Sequence, residues 1–186
     1  LGNFFLPQEI VEGTSDLFSK AFSASTIRFF MMQAHYRSTL DLTEDALTAA
    51  EKGLERLKEA LLLLNEIKPA EKSTFDISHS VQSFYDAMND DFNAPILIAN
   101  LFEAVKKVNL IHDAKEQISS KDKNLLLTEM GGFVFDVLGI KFEDESGDER
   151  LGPVMDLVLE LRQKARSEKD WPTSDLIRDG LKKAGI

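Results

Sequence analysis

Three aspartates near the middle of the chain are the first residues that could do chemistry together. Asp86, Asp90 and Asp91 bring three carboxylates close along the chain, a density that could bind a metal ion or exchange protons. No histidine and no further carboxylate stands beside them at the spacing of metal ligands. The alternative is the end of one helix followed by Asn93 as the cap of the next, since Asp and Asn are preferred there. We favour this capping interpretation.

The three histidines lie far apart in the sequence. His35 follows an apolar stretch and has no cysteine or carboxylate motif beside it, so we expect a structural role, as we do for His79 and His112. The chain contains no cysteine, which excludes disulfides, thiolate zinc sites and cysteine nucleophiles within it. It also has no glycine-rich phosphate-binding loop, so the sequence does not indicate a nucleotide site.

The segment 161–183 departs from the acidic average of the chain. It holds seven basic and four acidic residues, a local charge of +3, and its basic residues are Arg162, Lys164, Arg166, Lys169, Arg178, Lys182 and Lys183. Trp171, the only tryptophan, lies among them. Two interpretations remain open from the residues alone, namely a solvated helix face and a face that contacts phosphates with one aromatic ring.

The 186 residues carry 22 basic and 32 acidic side chains, a net charge of −10. This charge opposes broad, non-specific binding to nucleic acid, which draws its affinity from neutralising phosphates, but it leaves room for a local basic face. A chain of this size buries about 70% of its surface, enough for a core without disulfides or metals. The longest apolar run, about four residues at 61–64, is far short of the roughly 20 that span a bilayer. No signal peptide is visible and the first residue is not methionine, so we expect a cytoplasmic piece of a longer protein.

Apolar spacings of three and four predict helices and no strands. We expect helices at 26–36, 43–67, 73–88, 94–112, 121–138, 153–169 and 173–184. For the first we predict a cap at Ser25 and an inward face of Ile27, Phe30, Met31 and Ala34. For the fifth we expect Gly131 and Gly132 to allow a close helix contact and Gly139 to end the helix.

The fold class that follows is all-α, an antiparallel helical bundle with a short C-terminal helical pair. We expect a connector at 1–22, the bundle at 23–141, an acidic linker at 142–150 and a C-terminal helical segment at 151–186.

Several ordered motifs resemble the cysteinyl-tRNA synthetase family of class I aminoacyl-tRNA synthetases. The resemblance covers the whole chain and departs mildly at Asn89, Ala94, Pro172 and Ser174. The motifs that carry it are Leu1-Gly2-Asn3-Phe4, Ile27-Arg28-Phe29-Phe30, Ala34-His35-Tyr36-Arg37-Ser38, Gly53-Leu54-Glu55-Arg56-Leu57, Ala87-Met88-Asn89-Asp90-Asp91-Phe92-Asn93-Ala94-Pro95, Arg162, Ala165-Arg166, Lys169-Asp170-Trp171, Ile177-Arg178-Asp179 and Ala184-Gly185-Ile186.

This resemblance implies the C-terminal helical region of such an enzyme, a DALR-type anticodon-binding bundle. In the family the catalytic domain, the zinc site and the ATP site precede this region. The implied enzyme uses ATP to attach cysteine to tRNA(Cys), while the chain itself should hold no cofactor, metal or catalytic residue. We further expect a monomer that contacts tRNA(Cys) and the enzyme's own catalytic domain and no membrane.

Two sets of residues are candidates for these contacts. The tRNA-binding set comprises Arg162, Arg166, Lys169, Trp171, Arg178 and Lys182. The domain-interface set comprises Phe4, Phe5, His35, Tyr36 and Arg37, and Phe18 and Phe29 are further candidates for it. The rival hypothesis is a non-enzymatic helical scaffold for protein interactions, which needs no further domain but leaves the ordered motifs unexplained.

Overall fold

The computed structural model describes residues 6–15, 17–142, 151–167 and 170–183, with the backbone alone at 151–156 and 182–183. The chain divides into two units, Leu1–Phe142 and Glu143–Ile186. The helices of the first are α1 (Pro7–Glu12), α2 (Ala24–Met32), α3 (Glu44–Glu66), α4 (Ile77–Asn89), α5 (Ala94–His112) and α6 (Ser120–Gly131), which runs on as a π-helix (Gly132–Val137). Those of the second are α7 (Leu151–Ser167) and α8 (Trp171–Lys183). The predicted all-α class is therefore confirmed.

Polar side chains at the helix starts explain where most helices of the first unit begin. Thr43 accepts a hydrogen bond from the N–H of Ala46, and Asn93 accepts one from the N–H of Ile96 with Pro95 in the first turn. Such caps satisfy backbone donors that have no partner within the helix. The predicted start of α5 is thus confirmed, and α3 begins at Glu44, one residue after the predicted start at 43.

Helix α3 lies at the centre of the first unit. It packs against α2, α5 and α6, and α4 packs against α5 and α6. Its apolar stripe recurs every three or four residues and is buried throughout, as the spacing predicts. The stripe consists of Leu47, Ala50, Leu54, Leu57, Leu61 and Leu64.

Helix α2 differs from the prediction in its start, its end and its buried face. The cap is Ser23, whose side chain accepts from the N–H of Thr26, and the helix ends at Met32. Ser25 instead donates its hydroxyl to the carbonyl of Lys141 at 2.6 Å and accepts from the Lys141 N–H at 3.2 Å. Met31 is half-exposed while Phe29 is fully buried. Four consecutive apolar residues, 29–32, carry no period that could reveal the buried face.

Helix α4 begins at Ile77 because the residues before it bond to the first turn of α6 and to the loop that precedes α6. The N–H of Thr74 donates to the carbonyl of Gln117 at 3.0 Å, and Ser73 bonds to Asp122. These contacts lie beside an isolated parallel β-bridge between Ala70 and Ser119. No strand occurs within the described residues.

The glycine pair of α6 does not make the predicted close contact. A methyl group at Gly132 would meet nothing within 4 Å, and one at Gly131 would meet only the ring of Phe135. The glycines lie instead where the helix widens, and the N–H of Leu138 bonds to the carbonyl of Phe133 five residues back. This wider turn changes the helical phase and leaves Val137 half-exposed.

The predicted helix end at Gly139 is confirmed. Its φ of +63° is a left-handed conformation that favours glycine. A Cβ there would lie 3.0 Å from Nη2 of Arg28, whose Nε donates to the carbonyl of Leu138 at 2.6 Å. The end of the π-helix is thereby joined to α2.

The second unit is a pair of helices, α7 and α8. Ala165 and Ser174 are the buried residues among its described side chains, and small residues such as these let the two helices approach closely. Three leucines of this pair are half-exposed or more, namely Leu157, Leu161 and Leu176. Each helix of the pair has one neighbour in this unit, so much of its apolar face stays uncovered.

Candidate nucleic-acid interface

A cleft in the second unit brings together several of the residues that the sequence singles out. Five of its lining residues recur on α7 at spacings of three and four, which places them on one helix face. Trp171, the first residue of α8, closes the cleft, whose volume is about 660 Å³. The lining residues are Leu159, Arg162, Gln163, Arg166, Ser167 and Trp171.

Arg162 has an unpaired donor in this cleft. Its Nε atom is buried and has no hydrogen-bond acceptor among the described residues. A buried charged donor without an acceptor is costly, so the cleft is suited to a ligand that supplies oxygen acceptors. A guanidinium fits phosphate oxygens well, because its donors are held in a planar fork.

Trp171 offers the cleft an aromatic surface. Its side chain is 57% exposed although tryptophan is the largest apolar side chain available. An exposed indole beside cationic groups can stack on a nucleic-acid base, whatever the base identity. The cleft therefore pairs a stacking surface with the charges of Arg162 and Arg166.

Asp170 determines the position of Trp171. Its carboxylate accepts from the N–H of Thr173 at 3.2 Å, and its carbonyl accepts from the N–H of Ser174 at 3.2 Å. Asp170 therefore caps α8. The helix begins at Trp171, two residues before the start at 173 that the sequence predicts. The hydrogen bonds from Thr173 hold the pKa of Asp170 below its ordinary value.

Acidification is expected to fray the start of α8 and to change the fluorescence of Trp171. Because the pKa of Asp170 is depressed by folding, the cap is complete above the unfolded value, about 3.9, and is lost as the pH falls through the lower folded value. The measurement is an emission titration of Trp171. Asp170→Asn should remove the transition, since asparagine caps equally well and does not titrate. An unchanged transition in this variant would assign the effect to other carboxylates.

Arg178, the other member of the predicted tRNA-binding set whose side chain is described, lies outside the cleft lining. Arg178 is paired with Asp175 and with Asp179, each at 2.9 Å, and the hydrogen bond to Asp179 raises its pKa. Lys169 lies outside the described residues, and the side chain of Lys182 is not described. The structure therefore brings Arg162, Arg166 and Trp171 together and leaves Arg178 bound to acids of its own helix.

The predicted domain-interface set has three described members, which follow α2. The rings of His35 and Tyr36 stack with centroids 4.5 Å apart, and the Arg37 guanidinium lies 5.1 Å from the centroid of the Tyr36 ring. The Tyr36 hydroxyl donates to Asp91 Oδ2 at 2.9 Å, which raises the pKa of Tyr36. Phe4 and Phe5 lie outside the described residues.

Phe18 and Phe29 do not belong to an exposed surface. Both are buried in the core of the first unit, with Phe18 against Phe22 and Phe29 against Phe102 in edge-to-face contacts. This bundle covers both side chains itself, so the two phenylalanines are no longer candidates for contact with another domain.

The three aspartates of the central motif have separate partners. Asp86 accepts from Gln82, Asp90 from Asn93 and Asp91 from Tyr36. The residues that the structure describes contain no group of three or more potential ligands that could hold a metal ion. Asp90 follows the end of α4 and Asn93 caps α5, as the capping interpretation predicts, whereas Asp91 bonds to a side chain 55 residues away.

Sequence reasoning missed Leu159, Gln163 and Ser167 as lining residues of the cleft. They are uncharged, so the local excess of basic residues did not mark them. Their spacing from Arg162 and Arg166 along α7 was the available signal, since residues three and four apart share a helix face.

In the described part of the chain, no helix combines the length and apolar character needed to cross a bilayer.

Comparisons with known proteins agree with the resemblance that the sequence motifs carry. A family model described as the DALR domain matches residues 83–143. Over 189 residues the chain is 44% identical to the cysteine-tRNA ligase of Porphyromonas gingivalis, an alignment that covers 100% of this chain and 39% of the relative. It is 46% identical over 189 residues to that of Bacteroides fragilis, covering 100% and 38%, and 41% identical over 178 residues to that of Chlorobaculum tepidum, covering 92% and 36%.

The chain thus spans less than two fifths of the length of these curated relatives. The similarity nevertheless extends over all of it, and the DALR match covers most of α4, α5, α6 and the π-helix. The chain is accordingly similar along its whole length to part of the cysteine-tRNA ligases, and its residues 83–143 match the DALR domain.

Proposed function

We propose that this chain is the tRNA-binding helical region of a cysteine-tRNA ligase and that the cleft on α7 and α8 contacts the RNA. The observation that carries the proposal is the buried, unpaired Nε of Arg162 beside Arg166 and the exposed ring of Trp171. A phosphate would supply the acceptor that Arg162 lacks, and an unstacked base would cover the indole. Single-stranded loops such as an anticodon offer both groups together.

The longer enzyme would attach cysteine to tRNA(Cys) with ATP, and this region would supply binding and positioning. ATP and zinc would be held outside this chain, as the resemblance implies, and the chain has no cysteine that could supply a thiolate to zinc. The net charge of −10 predicts weak RNA binding by the isolated chain. As part of the same proposal, the helical bundle comprises 23–141 and the C-terminal helical segment comprises 151–186, with the linker 142–150 between them.

The surface that meets the rest of the enzyme would be the predicted domain-interface set, namely His35, Tyr36, Arg37, Phe4 and Phe5. Support comes from the exposure of Tyr36, a residue that is 65% accessible although its ring stacks on His35 and lies against Arg37. A preformed stack of this kind presents a rigid aromatic group at a low cost in conformational entropy.

Removal of the Trp171 ring is expected to weaken RNA binding. Base stacking on an aromatic side chain contributes about 1–3 kcal/mol, so Trp171→Ala should lower the affinity for a tRNA(Cys) transcript roughly 5–150-fold. Trp171→Phe is the matched control, because it keeps an aromatic face and should retain much of the affinity. Polarisation of labelled RNA is the measurement, with circular dichroism to check that both variants keep their helices.

Two results would contradict the proposal. Equal RNA affinity of the wild-type chain and Trp171→Ala would remove the cleft from the interface. Absence of RNA binding in the full-length protein, combined with capture of a protein on the exposed leucines of α7 and α8, would favour the helical interaction scaffold instead.

A further inference from the structure

The turn between α4 and α5 adopts a conformation that its residues disfavour. Asp91 and Phe92 both have φ of +55°, the left-handed region that residues other than glycine rarely enter. A bulky aromatic residue is a clear outlier there, and two such residues in succession are more unusual still. Strained backbone of this kind persists only where the surrounding structure holds it, and it concentrates at functional sites.

Hydrogen bonds on both sides hold the turn in place. The N–H of Phe92 donates to the carbonyl of Met88 at 3.2 Å, and that of Asn93 donates to the carbonyl of Ala87 at 3.0 Å. Tyr36 binds the Asp91 carboxylate from the segment after α2. The turn is therefore rigid, yet its ring is directed outward, since Phe92 is 78% exposed.

The groups around Phe92 restrict what could cover it. Asp90 and Asp91 directly precede Phe92, so two carboxylates lie beside the ring along the chain. Paired carboxylates beside an aromatic ring repel phosphates, which disfavours RNA as the occupant. A symmetric pairing of two copies through this turn would bring the same carboxylates together, which disfavours self-association.

We propose that Phe92 inserts into an apolar pocket on another protein segment, one with lysine or arginine side chains facing Asp90 and Asp91. The occupant we assign is the part of a longer cysteine-tRNA ligase chain that lies outside these 186 residues, so the inference rests on the proposed function. One ring and its neighbours form too small a surface for independent association. A covalently linked partner can use a small surface, because its effective concentration is high.

The first arm of the test uses hydrogen exchange of wild-type protein. Backbone amides at 35–40 and 90–96 should be more protected in the full-length ligase than in the 186-residue chain, without any RNA present. Equal exchange in the two proteins would overturn the proposal. Because no RNA is added, this readout is independent of the Trp171 cleft, and either proposal can fail alone.

The second arm uses Phe92→Gly, which should stabilise the 186-residue chain and remove the contact that Phe92 makes in the full-length ligase. In the 186-residue chain glycine relieves the positive φ and should raise the melting temperature by about 2–4 °C. In the full-length ligase it should abolish the extra protection. Phe135→Ala, another exposed phenylalanine but without a positive φ, is the matched control and should do neither.

Two further outcomes would assign the surface to another occupant and overturn the proposal. A loss of RNA affinity in Phe92→Gly, with protection unchanged, would identify RNA. A dimer of the 186-residue chain by sedimentation, converted to monomer by Phe92→Gly, would identify a second copy.

Discussion

Replacing Arg162 and Arg166 with glutamate is expected to lower the affinity for tRNA(Cys) at least tenfold and to reduce its salt dependence. Both side chains line the cleft, and the Nε of Arg162 has no acceptor among the described residues. Each phosphate contact with a single strand contributes a slope of about 0.7 in log affinity against log salt. Loss of two contacts should therefore reduce the slope by about 1–2.

The measurement is a titration of labelled tRNA between roughly 50 and 200 mM salt, the range over which phosphate contacts change affinity most visibly. Lys52→Glu combined with Arg56→Glu is the matched control, since it makes the same change of charge on exposed positions of α3. This control should leave the slope nearly unchanged. Equal losses in the two double variants would mean that total charge, and not the cleft, controls binding.

Phe29→Ala is expected to destabilise the chain by about 3–5 kcal/mol, the usual cost of removing a buried phenylalanine. Phe29 is fully buried, with its ring 6.4 Å from that of Phe102. A Cβ on Gly53 would lie 3.2 Å from the same ring, so the glycine of α3 makes room for it. Urea unfolding followed by circular dichroism would measure the loss.

Tyr36→Ala is the control for Phe29→Ala, because Tyr36 also belongs to the motifs that follow the start of α2 but is largely exposed. Its removal should lower the free energy of unfolding much less than Phe29→Ala does, because Tyr36 loses only its hydrogen bond to Asp91 and its stack on His35. Equal destabilisation by the two variants would contradict the assignment of Phe29 to the core and Tyr36 to the surface.

The contrast between α3 and α2 shows which parts of the fold the sequence could predict. Helix α3 has a cap at Thr43 and leucines spaced by three and four, so its start and its buried face were both predictable. Helix α2 has an unbroken apolar run at 29–32, and only packing against α3 decides that Phe29 is buried while Met31 is exposed.

The π-helix could not be predicted, because hydrogen bonds between residues five apart leave no distinct apolar period at this length. In the candidate site, the charge excess identified Arg162 and Arg166, and the single tryptophan identified Trp171. The pairing of Arg178 with Asp175 and Asp179 was hidden, since it depends on side-chain geometry along α8. The left-handed φ of Phe92 was equally hidden, because nothing in an Asp-Phe-Asn segment demands it.

The bonds from Ser25 to Lys141 and from Arg28 to Leu138 have a consequence for synthesis on the ribosome. The two residues of each bond are 116 and 110 positions apart in the sequence. These contacts of α2 can therefore form only after nearly the whole bundle has been translated. At about 5–20 residues per second, the intervening chain takes roughly 6–23 s to make. During that interval the nascent chain exposes apolar faces that the completed bundle covers, so chaperone protection would matter most before residue 141 emerges.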